Sequence, residues 1–276
     1  MHFFVTGASG FVGSNFVNEL LFNGHKVTAL LRPNSNPRVE FIRKLKICRG
    51  ELFNDWSKDM EGCDIFVHCA SEGVVNNHND WEKCAKVNFI QTSQIIKNAF
   101  ESGITKFIIC GSCFEYGYSG DEFDRIPITA PLKPVGAYGF SKAAGSLFAL
   151  NFAKDKGIKL VVPRFFHLYG KGDHKLRFWP KLVGAAQAGE NFEMTLGNQL
   201  RNFMRVEEAV KKLLDIAMSL DNYSDGGIIK NIGTDQNMSL LSFAKSEWER
   251  LGAKGRIING VIPYRNNEVM SYVPEL

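Results

Sequence analysis

The stretch Phe3-Phe-Val-Thr-Gly-Ala-Ser-Gly-Phe-Val-Gly13 decides the fold. Phe3 to Thr6 is a strand-forming run, and glycines follow at Gly7, Gly10 and Gly13. Beyond them Val12, Phe16, Val17, Leu20 and Leu21 recur at helical spacing until Asn23-Gly24 ends the period. Strand, glycine turn and helix in that order open a βαβ unit. Glycines there permit a tight turn and let the backbone approach a pyrophosphate, which the positive end of the helix attracts. Gly7, Ser9, Gly10, Phe11, Val12 and Gly13 are expected to make that contact. Packing alone would also explain glycines in a loop, so the reading rests on the flanking strand and helix.

Outward from this turn, short apolar runs alternate with longer helical periods. Val27-Thr-Ala-Leu-Leu31, Leu45-Lys-Ile-Cys48, Ile65-Phe-Val-His-Cys69, Lys106-Phe-Ile-Ile-Cys110 and Leu160-Val-Val162 read as further strands. Helical spacing runs from about Trp81 to Phe100, with Asn79 and Glu82 as N-cap and box partner, and from about Tyr138 to Lys154. Strands separated by such helices predict an α/β fold, a doubly wound parallel sheet covered on both faces. After Phe166 the rhythm weakens into a glycine-containing loop and shorter elements. Residues 1–165 are predicted to form a dinucleotide-binding domain and 166–276 a smaller α/β lobe, with 203–220 packing back on the first.

The 276 residues carry 33 Lys+Arg against 29 Asp+Glu, a formal net charge of +4, with the signs interspersed. So mild an excess gives no reason to expect a nucleic-acid partner. The uncharged stretch from Phe3 to Asn18 is too short to span a bilayer, and no basic leader precedes the first strand. No membrane association and a cytoplasmic location are expected. The 6 cysteines do not read as a disulfide framework in a chain of this length. Cys110-Gly-Ser-Cys113 has redox spacing, but it closes a strand instead of opening a helix, and no Cys/His cluster has metal-ligand spacing. No metal is expected. His68 and Cys69 are assigned to core packing, and His78 and His174 to loops. Phe114, Phe166 and Phe178 are placed to line a pocket.

Two positions carry the cofactor choice and the chemistry. At the end of the second strand, where an acid would pair with the 2′-hydroxyl of NAD, the chain has Leu31 followed by Arg32. A guanidinium there suits a 2′-phosphate, so NADP(H) is expected with Arg32 on that phosphate, an ordinary loop arginine being the alternative. In Tyr138-Gly-Phe-Ser-Lys142 the spacing brings tyrosine and lysine to one helix face, about 6 Å apart along the axis. A tyrosine titrates near pH 10, and a neighbouring ammonium favours its phenolate, so Lys142, together with a cationic oxidised nicotinamide, is expected to draw Tyr138 towards the operating pH. The same spacing also arises by chance; its place downstream of the fifth strand favours the functional reading.

The motif Thr6-Gly-Ala-Ser-Gly-Phe-Val-Gly13 resembles the extended branch of the short-chain dehydrogenase/reductase superfamily, the NAD-dependent epimerase/dehydratase family. The resemblance continues through Asp64-Ile-Phe-Val-His-Cys-Ala-Ser71 and Val87-Asn88 and covers most of the chain. It implies a Rossmann fold with a C-terminal substrate lobe and a catalytic set of Ser112, Tyr138 and Lys142. It further implies cofactor contacts from Glu51 and Leu52 beside the adenine, from Cys69, Ala70, Ser71 and Asn88, from Phe165 and His167, and from Tyr138 and Lys142. A homodimer built on the long helices starting near Trp81 and Tyr138 is a family expectation.

Within the family, sugar-nucleotide 4,6-dehydratases carry an Asp-Glu pair directly after the catalytic Thr. This chain has Cys113-Phe114 there. Ser112-Cys-Phe-Glu-Tyr-Gly117 is similar to the nucleotide-sugar 4-ketoreductases that make deoxyhexoses such as dTDP-fucose, dTDP-6-deoxytalose and CDP-abequose or CDP-paratose for surface polysaccharides. Arg164-Phe-Phe-His-Leu-Tyr-Gly170 resembles the family's R-x-x-N-x-Y-G turn, with His167 in place of Asn. Arg201-Asn-Phe-Met-Arg-Val206 and Pro263-Tyr-Arg-Asn-Asn-Glu268 resemble diphosphate- and ribose-gripping segments. The resemblance thus implies substrate contacts from Cys113, Phe114, Phe178, Arg201, Arg265 and Glu268, a salt bridge being the alternative for Arg201 and for Arg265 with Glu268.

NADPH-dependent reduction of the C4 keto group of a nucleotide-linked 4-keto-6-deoxyhexose is the leading expectation. The nucleotide, dTDP, CDP, GDP or UDP, stays open. An NAD-dependent 4-epimerase, a reductase of a non-nucleotide carbonyl compound and a non-catalytic NADP sensor are the alternatives.

Overall fold

The computed structural model describes residues 1–38, 44–74 and 80–276. Its central sheet takes β1 (His2–Thr6), β2 (Lys26–Leu31), β3 (Leu45–Arg49), β4 (Ile65–His68), β5 (Lys106–Ile109), β6 (Gly111–Ser112) and β7 (Lys159–Phe165). All are parallel. A later strand, Ile228–Ile232, pairs in parallel with β7 at the far edge, and the spatial order from that edge runs through β7, β5, β4, β1 and β2 to β3.

Period-2 alternation splits each strand between two cores. Phe3, Val5, Val27, Ala29, Ile65, Val67 and Ile108 face one layer, while Phe4, Leu30, Phe66, Phe107 and Ile109 face the other. The first layer is covered by α1 (Phe11–Phe22) and a later helix, Val206–Met218; the second by α2 (Ser57–Met60) and by the long helices. Of these, α3 (Trp81–Ala85) passes through a π-helical stretch, Lys86–Gln91, into α4 (Thr92–Glu101), and α5 spans Gly136–Lys156. The expected cap at Asn79 lies outside the described residues, as does His78. Asp80 caps α3 instead, its carboxylate accepting from the Lys83 N–H at 2.9 Å.

Beyond β8 (His167–Tyr169) come α6 (Phe178–Ala188), β9 (Phe192–Met194), β10 (Leu200–Arg201) and β11 (Phe203–Arg205). The helix Val206–Met218 is then α7 and the edge strand Ile228–Ile232 is β12, followed by β13 (Met238–Ser239), α8 (Leu240–Arg250), β14 (Ile257–Asn259) and β15 (Ser271–Tyr272). A separate core of Leu182, Ala186, Phe192, Met194, Ala244 and Trp248 holds α6, α8, β9 and β14 together. The chain after residue 166 therefore re-enters the sheet half twice, through α7 and through β12. The second of these was not expected from the sequence. A short apolar run between glycines has no periodicity of its own to say which sheet it joins.

The sheet order reverses between β1 and β4, whose neighbouring ends open the crevice where open α/β sheets bind ligands.

Candidate functional site

Four segments meet at the C-terminal ends of the central strands. The first is the glycine turn. Gly7 has φ +67°, and a Cβ there would fall 2.4 Å from the backbone nitrogen of Ala70, at the end of β4. A Cβ on Gly13 would fall 2.3 Å from the Gly7 carbonyl oxygen. The turn is therefore packed against the neighbouring strand's end and cannot hold larger residues. The first turn of α1 has no acidic residue, and Gly10 as N-cap offers no side-chain acceptor, so its N–H groups suit phosphate oxygens. Asn15 and Arg38 tie the loop after β8 over this turn, donating to the carbonyls of Lys171 (3.0 Å) and Gly172 (2.8 Å). The cradle fits a dinucleotide pyrophosphate.

Arg32 stands exposed directly after β2. Its turn is closed by Ser35 N–H donating to the Arg32 carbonyl at 3.0 Å. Arg49, at the end of β3, braces the same turn by donating to the carbonyls of Pro33 (3.2 Å) and Ser35 (2.8 Å). Arg49 was not singled out from the sequence, because its partners lie across a strand pair. Glu51 is exposed, its carbonyl accepting from the Trp56 indole at 3.1 Å, and Leu52 packs at the edge of the second core.

The third segment follows β4. Cys69 and Ala70 are half-buried and Ser71 is exposed. Asn88, in the π-helical stretch, is 2% exposed and ties this segment to α5. Its amide donates to the Glu72 carbonyl and to the Ser141 hydroxyl, both at 2.9 Å, and its oxygen accepts from Ser71 (3.2 Å) and Glu72 N–H (2.8 Å). A π-bulge at such a junction is a frequent mark of a functional site. His68 is buried as expected, but it is a polar bridge: its ring nitrogens lie 2.8 Å from the Thr6 hydroxyl and 2.9 Å from that of Thr92. Burial, aided by the Lys142 charge, pushes it down to about 3, so it stays neutral. Cys69 Sγ lies 3.4 Å from that of Cys110, so the neighbour of Cys110 is Cys69 across the strands and not Cys113 along the chain.

The fourth segment unites Ser112, Tyr138 and Lys142. Ser112 ends β6, and Tyr138 and Lys142 share α5. The Tyr138 hydroxyl hydrogen-bonds with Ser112 and Ser71, while the Lys142 ammonium donates to the Cys110 carbonyl at 2.5 Å. Burial pushes Tyr138 up to about 12, the Ser112 and Ser71 hydrogen bonds offsetting only part of that. Desolvation of the phenolate is the largest cause, and the Lys142 ammonium is engaged with the Cys110 carbonyl.

Beside Tyr138 lies an aromatic patch. Phe114 is 5.8 Å from the Tyr138 ring, 5.9 Å from His167 and 5.3 Å from Tyr272, and His167 is 6.0 Å from Phe203. His167, expected at the cofactor, sits among these rings. Burial, reinforced by the Arg201 and Arg177 charges, holds it well below the usual imidazole range.

Cys113, Phe165 and Phe166 are buried in cores, and Phe178 packs edge-on against Phe192 in the small lobe. Arg201 is only 6% exposed; it donates to the carbonyls of Leu200, Val269 and Met270 and to the Glu268 carboxylate at 2.9 Å. Arg201 and Glu268 are thus a structural ion pair joining β10 to the segment before β15, while Arg265 is exposed. His174 is exposed in its loop. Sequence reasoning also missed the buried pair of Glu115 and Arg164, 2.8 Å apart behind Ser112. No cluster of His, Cys, Asp and Glu suited to a metal occurs among the described residues. Nor, among them, is any helix long and apolar enough to cross a membrane.

The chain belongs to the NAD dependent epimerase/dehydratase family, whose model matches residues 3–233. It is 27% identical over 263 residues to dTDP-D-glucose 4,6-dehydratase of Mus musculus, covering 87% of this chain and 70% of that one. It is 26% identical over 279 residues to dTDP-4-dehydro-6-deoxy-D-allose reductase of Streptomyces bikiniensis, covering 92% and 82%. Among solved structures it is similar to MoeE5 in complex with UDP-glucose and NAD, at a TM-score of 0.86 and 26% identity, covering 100% of this chain and 90% of that one.

Proposed function

We propose that the protein is an NADPH-dependent reductase of a nucleotide-linked 4-keto-6-deoxyhexose, with Ser112, Tyr138 and Lys142 as its catalytic residues. The observation that carries this reading is that the residues following Ser112 are a fully buried cysteine and a phenylalanine whose ring packs against that of Tyr138. Neither side chain supplies the acid–base pair that elimination of water needs. A hydride donor, a proton donor and a hydrogen-bond donor remain sufficient for carbonyl reduction.

The reduced nicotinamide, when bound, supplies a hydride to C4 of the sugar. Ser112 donates a hydrogen bond to the C4 carbonyl oxygen and so favours the charge that develops there. Tyr138 gives its phenolic proton to that oxygen, completing the alcohol. A tyrosine held high is protonated at neutral pH, which is the state reduction requires. Lys142, anchored on the Cys110 carbonyl, supports the phenolate left behind until it is reprotonated.

Arg32 supports NADPH, since it follows β2 where an acid would repel the 2′-phosphate. The turn it opens is held in place by Arg49. The exposed side chains Trp81, Phe140, Phe89, Ile90 and Leu147 on the α3–α4 and α5 surface support a homodimer, checked by light scattering. The reductase of Streptomyces bikiniensis favours the reductive reading, whereas the mouse enzyme is a dehydratase by name. A C4 epimerase is the second reading, favoured by the NAD and UDP-glucose held by MoeE5.

The two are separated by NADPH oxidation with freshly made dTDP-, CDP-, GDP- and UDP-linked 4-keto-6-deoxyhexoses. Stoichiometric oxidation supports the reductase. Tightly held NAD with interconversion of sugars, and no need for NADPH, supports the epimerase.

A further inference from the structure

Glu115 and Arg164 form an ion pair shut off from solvent, their side chains 0% and 1% exposed and Nε 2.8 Å from Oε2. The other carboxylate oxygen accepts from the Ser112 backbone N–H at 2.9 Å and from the Ser146 hydroxyl at 3.0 Å. One carboxylate thus joins β6, α5 and β7. Ser112 is itself the N-cap of the 3-10 turn Cys113–Glu115, accepting from the Phe114 N–H at 3.3 Å, and Glu115 is the reciprocal partner of a capping box. A Cβ on Gly111 would fall 2.8 Å from Glu115 Oε1, so the backbone is fitted closely around this group.

Stability alone does not account for the pair. Arg164 Nη1 is buried with no hydrogen-bond partner among the described residues, and an orphaned donor on a buried charge is destabilising. Apolar residues of similar volume generally serve a core at least as well as a buried ion pair. The arrangement does have a directional effect. A hydroxyl has one proton and two lone pairs, and Phe114 N–H occupies one lone pair of Ser112. That leaves the Ser112 proton and its second lone pair for other partners, and Tyr138 is one of them.

We infer that Glu115, clamped by Arg164, is a positioning residue that sets the direction in which Ser112 donates its hydroxyl proton to the substrate carbonyl. The inference rests on the catalytic reading of Ser112, Tyr138 and Lys142 given above. Glu115 touches no reacting atom and acts through Ser112.

The test compares Glu115→Gln, the apolar exchange Glu115→Leu with Arg164→Met, Ser112→Ala, and each pair variant combined with Ser112→Ala. The isosteric Gln variant carries the test should the apolar exchange fold poorly, with thermal melting as the check. Each pair variant is expected to lower kcat by about 10–100-fold, as displacements of order 1 Å do, while the KM for NADPH stays within about two-fold. In the Ser112→Ala background the same changes are expected to add nothing further, since both act through one hydroxyl. Wild-type kcat in a folded pair variant, or effects that multiply with Ser112→Ala, overturns the inference.

A second readout needs no turnover. In protein labelled at tyrosine Cζ, the Tyr138 resonance, assigned by its loss in Tyr138→Phe, is expected to move in Ser112→Ala and in the same direction in the pair variants. A resonance that moves in Ser112→Ala but not in the pair variants overturns the positioning role. Failure of the wild type to reduce any keto sugar overturns the proposed function instead, and leaves this readout standing.

Discussion

The ring of Phe114 stands edge-on to that of Tyr138, centroids 5.8 Å apart and planes at 76°. An aromatic edge at that place neither gives nor takes a proton. The enzyme is therefore expected to form no 4-keto-6-deoxy product from dTDP-, CDP-, GDP- or UDP-linked hexoses that retain their C6 hydroxyl, with NAD or NADP supplied. Product analysis by mass spectrometry checks this. A peak reduced by the mass of one water contradicts it.

Tyr138→Phe is expected to lower kcat by about 10²–10⁴-fold, the usual contribution of a positioned acid, with the Kd for NADPH within about two-fold of wild type. Because burial holds Tyr138 at about 12, the proton that reduction consumes is present throughout the neutral range. Reduction should run at constant kcat from about pH 6 to 9, while the reverse oxidation, which needs the phenolate, should rise about tenfold per pH unit. His167 stays neutral throughout and contributes no step. A reductive rate that falls with a midpoint near pH 7 would remove Tyr138 from the role.

Arg32→Asp places a carboxylate where the 2′-phosphate is expected. The ratio of kcat/KM for NADPH to that for NADH should fall by about 100-fold or more, the loss of one bidentate ion pair plus a new repulsion. Thermal stability should not change, because Arg32 is exposed. An unchanged ratio would mean that Arg32 does not read the cofactor.

His68 couples the fold to pH. Its folded-state value, about 3, lies below the ordinary imidazole value of 6.5, so its contribution to stability is fully present above pH 6.5. As pH falls from 6.5 towards 3, the unfolded chain takes up a proton that the native state refuses. Wild type should then lose about 1.4 kcal/mol per pH unit more than His68→Asn, seen as a steeper fall in the urea midpoint. Parallel curves for the two proteins would contradict this.

The sheet half was legible because each of its signals is local. The short apolar runs at β1, β2, β4 and β5, the helical period after Gly13 and the glycine turn are each confined to a few consecutive residues, and local spacing encodes local geometry. Tyr138 and Lys142 share one helix and Ser112 ends a strand, so their placement was legible too. Glu115 and Arg164 lie 49 positions apart, and only the β6–β7 register brings them together. A local signal for half of the arrangement was present: Ser112-Cys-Phe-Glu115 is an S-x-x-E capping box.

The partners of Arg201 were illegible for the same reason. Arginine beside a family motif suggests a phosphate, but Glu268 and the carbonyls of Val269 and Met270 take up its donors across 67 to 69 positions of chain. The shift of Tyr138 was illegible because spacing reports the neighbour, Lys142, and says nothing of burial.

The central claim is tested most directly by following NADPH absorbance with the four nucleotide-linked 4-keto-6-deoxyhexoses and examining C4 of the product by NMR. One of them is expected to consume NADPH mole for mole and to yield a new C4 carbinol of single configuration, with the rate lowered by about 10²–10⁴-fold in Tyr138→Phe. Interconversion or dehydration of the sugars with no net consumption of NADPH would contradict it.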